Sequence, residues 1–433
     1  MPWRLDTDDP RFETAFAEFL GARRGAGADV AATVASIVAD VRENGDAALI
    51  AASERFDRVR LTPETLAVPA DDLAAALSAV APEVRSALEM AAARIRDFHV
   101  RQLPDDLRFD DDAGVTLGLR WTPLASVGVY VPGGTAAYPS SVLMNVVPAK
   151  VAGVEHVVMT VPAPDGRLDP LVLAAARLAG VDTVYRVGGA QAVAALAFGT
   201  ATIDPVDKIV GPGNAYVAEA KRQVFGIVGI DLIAGPSEIL VLADAGNDPA
   251  WIAADLLAQA EHDASAQAIL VTDDPAFADA VLEALERHLI SLPRAAIAGA
   301  SWRDHGAVIV VPALADAVPL IDRIAPEHLA LAIEDAEGIA FRVRNAGSIF
   351  LGRHTPEALG DYVAGPNHVL PTGRSARFSS GLGVFDFVKR TSLIGCDASG
   401  LRTLGPAAIT LAEAEGLHAH ALSVAIRLRV DDG

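Results

Sequence analysis

Three short polar clusters along the chain contain residue types that bind metal ions. Gln259-Ala-Glu-His262 ends a predicted helical run, where residues three apart share one helix face and can point at one ion. Gly360-Asp361-Tyr362 is followed closely by Gly365-Pro-Asn-His368, and Glu415-Gly-Leu-His-Ala-His420 lies near the carboxyl terminus. A Gln and a His at this spacing more often mark a polar helix end exposed to water. The three clusters together favour a metal site.

Zinc is the ion that these residue types suit best. Imidazole nitrogens together with carboxylate and amide oxygens are ligands of Zn²⁺. Two His, one Asp and one Gln carry a single negative charge, so a bound zinc would remain a strong Lewis acid. The chain has one cysteine, Cys396, which excludes a zinc site built on several thiolates. Any zinc here would therefore be functional, although spacing alone does not decide between His418 and His420.

A carboxylate and an imidazole lie side by side in Ala325-Pro-Glu-His-Leu329. Glu327 and His328 could act as an acid–base pair near neutral pH. Pro326 also suits the first turn of a helix, where Glu327 would gain from the positive end of the helix dipole. The segment therefore predicts a helix start, on which adjacent side chains diverge by about 100° and would contact one substrate from different sides.

Glycine-rich turns follow two predicted strands, at Val131-Pro-Gly-Gly134 and Val210-Gly-Pro-Gly-Asn214. Backbone without side chains can approach a phosphate or a ring closely. Neither turn, nor Gly188-Gly189, has the GxGxxG spacing, so they indicate a ligand crevice at strand ends without identifying a dinucleotide, and each also suits a simple turn. Ala234-Gly-Pro-Ser-Glu238 lies where two predicted domains meet, so Ser237 is a candidate ligand contact.

The elements that position these residues are predicted to be helices in the N-terminal region, followed by strands that alternate with helices. Apolar residues recur at intervals of three and four residues over 30–52 and 73–98, which predicts a helical N-terminal region. From about Ser126, β-branched runs alternate with alanine-rich segments, which predicts βαβ units and a largely parallel sheet. The first group of predicted strands is 127–131, 157–161, 184–187 and 208–210. The second group has strands at 238–242, 268–272 and 307–311, with helices at 251–260 and 275–289.

The predicted fold class is α/β, with two Rossmann-like α/β domains in series. We place a helical N-terminal region at 1–120, the first domain at 121–236, the second at 237–380 and a C-terminal tail at 381–433. Gly235-Pro236 is the candidate boundary between the two α/β domains. The sequence pattern of residues 412–430 predicts a helix followed by a basic strand. The tail is too small to form its own domain, so we expect it to pack on another element.

The composition argues against several partner classes. With 433 residues, 52% of them hydrophobic, the chain can bury a sizeable core, and 35 basic against 56 acidic side chains give a net charge of −21. That charge disfavours nucleic acids and anionic membranes. The start lacks a signal-peptide pattern and the single cysteine suits a reducing compartment, so we expect a cytoplasmic protein. Residues 121–149 carry no charge, but prolines and Gly133-Gly134 interrupt them, so we expect no membrane span.

Taken together, these segments resemble the histidinol dehydrogenase family over nearly the whole chain. Several long motifs in one order are far more specific than any single motif. One departure is Ala264 after Asp263, where the family commonly has Pro; we expect a slightly altered helix end and unchanged metal binding. The matching segments are 130–134, 188–191, 210–214, 234–238, 255–263, 325–329, 360–362, 367–371 and 415–420.

The resemblance implies a role for each candidate residue. The spacing of five residues from Glu415 selects His420 over His418. Members of the family form dimers, which implies that the C-terminal tail is a dimerisation tail and that its His420 completes the site of the partner subunit. Glu327 and His328 would be the acid–base pair. One Zn²⁺ per subunit would be held by Gln259, His262, Asp361 and His420. The substrate would be contacted by Ser237, His368, Glu415, His328 and the metal ligands, and NAD by Tyr130, Gln191 and Asn214.

The implied reaction is the oxidation of L-histidinol to L-histidine through the aldehyde, using two NAD⁺ and water, at the end of histidine biosynthesis. Cys396 lies outside every motif, so we expect a hydrated aldehyde rather than a thioester. In this hypothesis zinc positions the substrate, His328 removes the hydroxyl proton and Glu327 activates water. The alternatives are a paralogous zinc and NAD-dependent dehydrogenase of another amino alcohol or polyol, a metal-dependent hydrolase, and a non-catalytic binding protein.

Overall fold

The computed structural model describes residues 2–22, 30–133 and 138–429. Within these ranges, helices surround a five-stranded, a six-stranded and a three-stranded sheet. The predicted α/β class with largely parallel sheets is confirmed. In the same ranges, no helix combines the length and the apolar character needed to cross a bilayer.

The first parallel sheet has the strand order β6-β5-β4-β7-β8. Helices cover both of its faces, and its strands are accordingly continuous apolar runs. The order reverses between β4 and β7, which opens a crevice at the carboxyl ends of these two strands. The strands are β4 Ser126–Tyr130, β5 His156–Thr160, β6 Thr183–Tyr185, β7 Lys208–Val210 and β8 Gly229–Ile230; the helices are α7 Pro139–Ala152, α8 Pro170–Ala179, α9 Gly189–Phe198 and α10 Ala215–Val224.

The second parallel sheet has the order β1-β11-β10-β9-β12-β13, so its reversal falls between β9 and β12. Apolar clusters again lie on both faces. Its strands are β1 Trp3–Asp6, β9 Glu238–Ala243, β10 Gln267–Thr272, β11 Ala307–Val310, β12 His328–Ala332 and β13 Ser348–Leu351. Its helices are α11 Pro249–Ala260, α12 Pro275–Leu289, α13 Ala295–His305, α14 Ala317–Ile324, α15 Ala336–Ala340 and α16 Glu357–Tyr362.

The N-terminal region is mainly helical, as the periodicity predicts. The periodic stretch 30–52 is two helices, because Gly45 adopts a φ of 53° between them. β1 was not predicted; its four residues pair with β11 and extend the second sheet. The helices are α1 Phe12–Ala22, α2 Ala31–Asn44, α3 Asp46–Asp57, α4 Pro63–Leu66, α5 Ala70–Ala75 and α6 Pro82–Val100.

The third sheet and the tail complete the fold. β2 Leu107–Asp110, β3 Val115–Pro123 and β14 Val388–Cys396 form an antiparallel sheet with β3 in the middle. Two helices follow, α17 Ala398–Ala414 and α18 His418–Leu428, and they pack on each other. The predicted basic strand near the end is wrong, because residues 418–428 are rich in Ala and Leu and continue as helix; Val430 lies outside the described residues.

Candidate active site

The candidate site lies at the amino-terminal edge of the second sheet, where β9 and β12 run side by side. Glu238 begins β9, and His328 begins β12 and pairs with Ile239. The predicted helix start at Pro326 is wrong: α14 ends at Ile324, Ala325 takes a left-handed φ of 49°, and a buried strand follows. The apolar run from His328 to Ala332 fills a place in the sheet, and this packing overrides the local helix-start pattern.

The backbone of Glu238 holds both members of the predicted acid–base pair. Its N–H donates to Oε2 of Glu327 at 2.9 Å, and its carbonyl lies 2.9 Å from Nδ1 of His328. Both side chains are buried. A carbonyl can only accept, so Nδ1 carries the proton and Nε2 has the lone pair. Sequence reasoning about side chains missed this role of a main-chain group.

His328 Nε2 is directed into the polar cluster rather than at a hydrogen-bond partner. It is buried, has no partner within the described ranges, and lies 4.0 Å from Oδ1 of Asp361. Burial lowers the pKa of His328 to about 4, against an opposing effect of Asp361. The imidazole is therefore neutral near pH 7 and can accept a proton at Nε2.

Helix α16 brings two carboxylates to His328 from one face. Glu357 and Asp361 are four residues apart, and Glu357 Oε1 lies 3.4 Å from His328 Nδ1. Burial, and then the charges of Asp361, Glu327 and Asp255, raise the pKa of Glu357 well above its usual value. One ligand atom from each of His328, Glu357 and Asp361 lies within 4.8 Å of the others, which is a geometry that could hold a metal ion. Glu357 was missed in the sequence, although its spacing from Asp361 could have identified it.

Gln259 and His262 come from the end of α11. Gln259 is fully buried in the last turn, and both amide atoms lack a hydrogen-bond partner in the described part of the chain. His262 follows the helix end and is exposed, and it lies close enough to His328 and His368 to add a small effect to the burial that lowers their pKa values. The turn that contains Asp263 and Ala264 is held by Ser265, whose N–H donates to Asp263 Oδ1 at 2.8 Å.

His368 joins the same cluster from a segment that crosses to the first sheet. Its Nδ1 lies 3.0 Å from the carbonyl oxygen of Asp361, and burial is the main cause that lowers its pKa. The preceding Asn367 donates from Nδ2 to the carbonyl of Met144 in α7 at 2.6 Å. The cluster therefore lies at the junction between the two parallel-sheet units. Ser237, half-buried, immediately precedes Glu238 at the same edge.

Glu415 and His420 lie on the two C-terminal helices and are exposed. Within the described residues, neither side chain makes a hydrogen bond or an ion pair with the cluster around His328. Both line an apolar groove of about 370 Å³ between α17 and α18. A single chain thus brings His262 and Asp361 close to His328 and His368, and leaves Glu415 and His420 on a surface.

The three predicted cofactor-binding residues lie near the crevice of the first sheet. Tyr130 ends β4, is buried, and accepts a hydrogen bond from the N–H of Gly189 at 3.1 Å. Burial raises the pKa of Tyr130 to about 12, so its hydroxyl stays protonated and can donate. Gln191 is buried in the first turn of α9, and Asn214 caps α10 through Oδ1, which accepts from two backbone N–H groups at 3.0 and 3.2 Å. Gly134, in the predicted turn, lies outside the described residues.

Comparison with known proteins gives one consistent result. The model of the family "Histidinol dehydrogenase" matches residues 22–428. Histidinol dehydrogenase of Rhizobium meliloti (strain 1021) is 64% identical over 432 residues, which are 100% of both proteins. That of Rhodospirillum rubrum is 62% identical over 429 residues, 99% of each. The crystal structure of histidinol dehydrogenase from Elizabethkingia anophelis matches with a TM-score of 0.95 at 35% identity, covering 100% of this chain and 99% of that chain.

Proposed function

Because the chain belongs to the histidinol dehydrogenase family, it is an oxidoreductase of histidine biosynthesis, and we propose that it oxidises L-histidinol to L-histidine with Zn²⁺ and NAD⁺. The reaction passes through L-histidinaldehyde: two hydrides leave the same carbon in turn, each to one NAD⁺, and water supplies the second carboxylate oxygen. The observation that carries the proposal is the buried His328, fixed at Nδ1 with Nε2 unpartnered beside Asp361.

His328 is the base of the first oxidation. Its Nε2 accepts the hydroxyl proton of the substrate as the hydride leaves the carbinol carbon. The hydrogen bond from Nδ1 to the Glu238 carbonyl fixes the ring and its tautomer. The carboxylate of Asp361, 4.0 Å away, favours the imidazolium that forms.

Glu327 activates water for attack on the aldehyde carbonyl. The Glu238 N–H holds Oε2 in place, 3.7 Å from Nδ1 of His328, so base and imidazole act at one carbon. The proton of the attacking water passes to the carboxylate, and the resulting hydrate loses the second hydride. Cys396, exposed on β14 of the third sheet, is outside this cluster, which supports a hydrated aldehyde rather than a thioester.

The residues present fit a zinc ion. The amide oxygen of the fully buried Gln259 has no partner among the described residues, which costs free energy unless a ligand such as a metal ion binds it. We assign one Zn²⁺ per subunit to Gln259, His262 and Asp361, together with His420 of the partner subunit. A bound zinc supplies Lewis acidity and an anchor for the imidazole and amine of histidinol. Ser237, His368 and Glu415 contact the substrate around it.

The nucleotide binds at the carboxyl ends of β4 and β7, the point of strand-order reversal in the first sheet. Tyr130 is positioned there to donate from its hydroxyl, and Gln191 lies beside Gly189. Asn214 uses Oδ1 as a helix cap and keeps its Nδ2 donors for the nucleotide.

The enzyme acts as a homodimer with shared active sites, in the cytoplasm. The C-terminal helices support this assembly, because they expose apolar side chains next to Glu415 and His420 and are too small to form a core alone. These side chains are Leu404, Leu411, Leu417, Leu422 and Ile426. A second copy that covers this surface would bring His420 to the cluster at α11 and α16.

One assay tests the proposal. Purified protein is mixed with L-histidinol, Zn²⁺ and NAD⁺, and NADH is followed by absorbance while histidine is quantified. Two NADH per histidinol and formation of histidine support the proposal. Turnover of another amino alcohol or polyol in preference to histidinol would instead favour a paralogous dehydrogenase that keeps the same metal and hydride chemistry.

A further inference from the structure

A buried ion pair fixes the loop after β7. Its two residues lie outside the glycine-rich motif 210–214 that forms the loop. Lys221 of α10 and Asp231, just after β8, form a salt bridge in which both side chains are at most 2% exposed. The N–H of Gly211 donates to Asp231 Oδ2 at 2.8 Å, and Lys221 Nζ donates to the Gly211 carbonyl at 3.1 Å. Both polar groups of one glycine are therefore bound by the two members of one ion pair.

Gly211 occupies a position that other residues cannot fill. Its φ is 112°, and a Cβ atom there would lie 2.1 Å from the carbonyl oxygen of Tyr130. Three residues later, Asn214 begins the helix that carries Lys221. The peptide held by the ion pair thus lies between Tyr130 and Asn214, the two crevice residues contributed by different strands.

A buried ion pair is a costly way to secure a fold. The desolvation of both charges often exceeds their attraction, and well-packed apolar residues of similar size frequently stabilise as well or better. What apolar residues cannot do is bind the N–H and the C=O of a glycine at the same time. The arrangement therefore points to a requirement for one orientation of this peptide rather than for stability alone.

We propose that Lys221 and Asp231 are positioning residues for nucleotide binding: they hold the Gly211 peptide so that Tyr130 and Asn214 face one crevice. The proposal rests on the assignment of that crevice to NAD. The ion pair does not touch the nucleotide and acts through the loop. Its loss lets the loop take other conformations and weakens nucleotide binding, while the distant cluster at His328 keeps its geometry.

The test compares two double variants of the full-length protein. Lys221→Met with Asp231→Asn removes both charges together, so that no single charge is left buried and unpaired. Lys150→Met with Asp182→Asn, which removes a more exposed ion pair, is the control. Lys150 and Asp182 also form a pair, at 3.0 Å, which binds the carbonyl of Glu155 and the N–H of Val157 at the opposite edge of the same sheet.

Direct binding of NADH is measured by fluorescence, and the KM values for NAD⁺ and histidinol and the melting temperatures are determined in parallel. We expect the Lys221/Asp231 variant to bind NADH about tenfold to a hundredfold more weakly, as the loss of a charged hydrogen bond implies. Its KM for histidinol should stay near that of the parent. The control should shift the melting temperature without changing NADH affinity.

The outcomes distinguish a wrong assignment of the crevice to NAD from a wrong positioning role for the ion pair. If the parent protein fails to bind NADH, the assignment of the crevice to NAD is wrong. If the parent binds NADH and the Lys221/Asp231 variant binds it equally well, or if both variants weaken binding in proportion to lost stability, the positioning role is wrong. When this double variant is poorly folded, Lys221→Gln with Asp231→Asn gives a second reading: it also leaves no buried charge unpaired, and an NADH affinity equal to that of the parent would contradict a role for the ion pair.

Discussion

At the residue scale, burial lowers the pKa of His328 and one backbone carbonyl fixes its tautomer. In His328→Asn, the amide Nδ2 can still donate to the Glu238 carbonyl, but no atom replaces the Nε2 lone pair. We expect the oxidation of histidinol to slow by about 10² to 10⁴-fold, the usual contribution of a general base. Single-turnover NADH formation measures this step. A rate constant close to that of the parent would show that another group removes the proton.

Glu327→Gln separates the second step from the first. The glutamine oxygen can still accept from the Glu238 N–H, so the position of the side chain is kept while its basicity is lost. We expect oxidation of supplied histidinaldehyde to fall by about 10² or more, with a smaller effect on the alcohol step. Measuring both substrates with the same preparation provides the control. Unchanged histidinaldehyde oxidation would reject this division of roles.

Residue types alone predict part of this cluster. Gln259, His262, Asp361 and His368 stand out because amide, imidazole and carboxylate groups recur in short segments. The two contacts of the Glu238 backbone join residues about 90 positions apart, so no local pattern reveals them. Glu357 is missed although it lies four residues before Asp361, because only its burial beside His328 shows that the two carboxylates share one site.

At the scale of elements, Asn214 has a structural role that can be separated from its proposed role in binding. It caps α10 through Oδ1, and in Asn214→Asp a carboxylate oxygen keeps that cap. We expect Asn214→Asp to melt near the temperature of the parent but to bind NADH more weakly, because the Nδ2 donors are gone. Asn214→Ala should lose the cap as well, at about 1 kcal/mol. Equal NADH affinity in all three proteins would leave the cap as the whole role of Asn214.

The predicted elements succeed where a strand is apolar throughout and fail where the structure depends on a distant partner. The runs at 157–161 and 208–210 match β5 and β7 within one residue, because strands covered on both faces are apolar throughout. Pro326 and Glu327 imitate a helix start, yet the place beside β9 makes His328 the first residue of a strand. β1 is four residues long and depends on β11, some 300 positions away.

The two parallel sheets use opposite edges. In the first sheet, the crevice at the carboxyl ends of β4 and β7 contains the glycine-rich loop 210–214. In the second, the corresponding edge is closed by Arg353, which pairs with Asp244 at 2.7 Å and Glu334 at 2.9 Å. The polar cluster instead occupies the amino edge, because α11 runs back past the sheet and delivers Gln259 and His262 there. The general rule for ligand position therefore predicts the proposed nucleotide crevice of the first sheet but not the polar cluster of the second.

At the scale of the whole molecule, the exposed position of Glu415 and His420 predicts complementation between subunits. A heterodimer of one His420→Ala chain and one His262→Ala chain contains one site with neither substitution and one site with both, if each site takes His420 from the partner subunit. We expect each single variant to lose most activity, because loss of one metal ligand abolishes a site. The heterodimer, isolated with two different affinity tags, should regain about half of the parent activity, because one of its two sites is intact. Dimers of two differently tagged His262→Ala chains, purified in the same way, are the control. Absence of recovery in the mixed heterodimer would mean that the four ligands come from one chain, and the C-terminal helices would then have to fold back onto the cluster at α11 and α16.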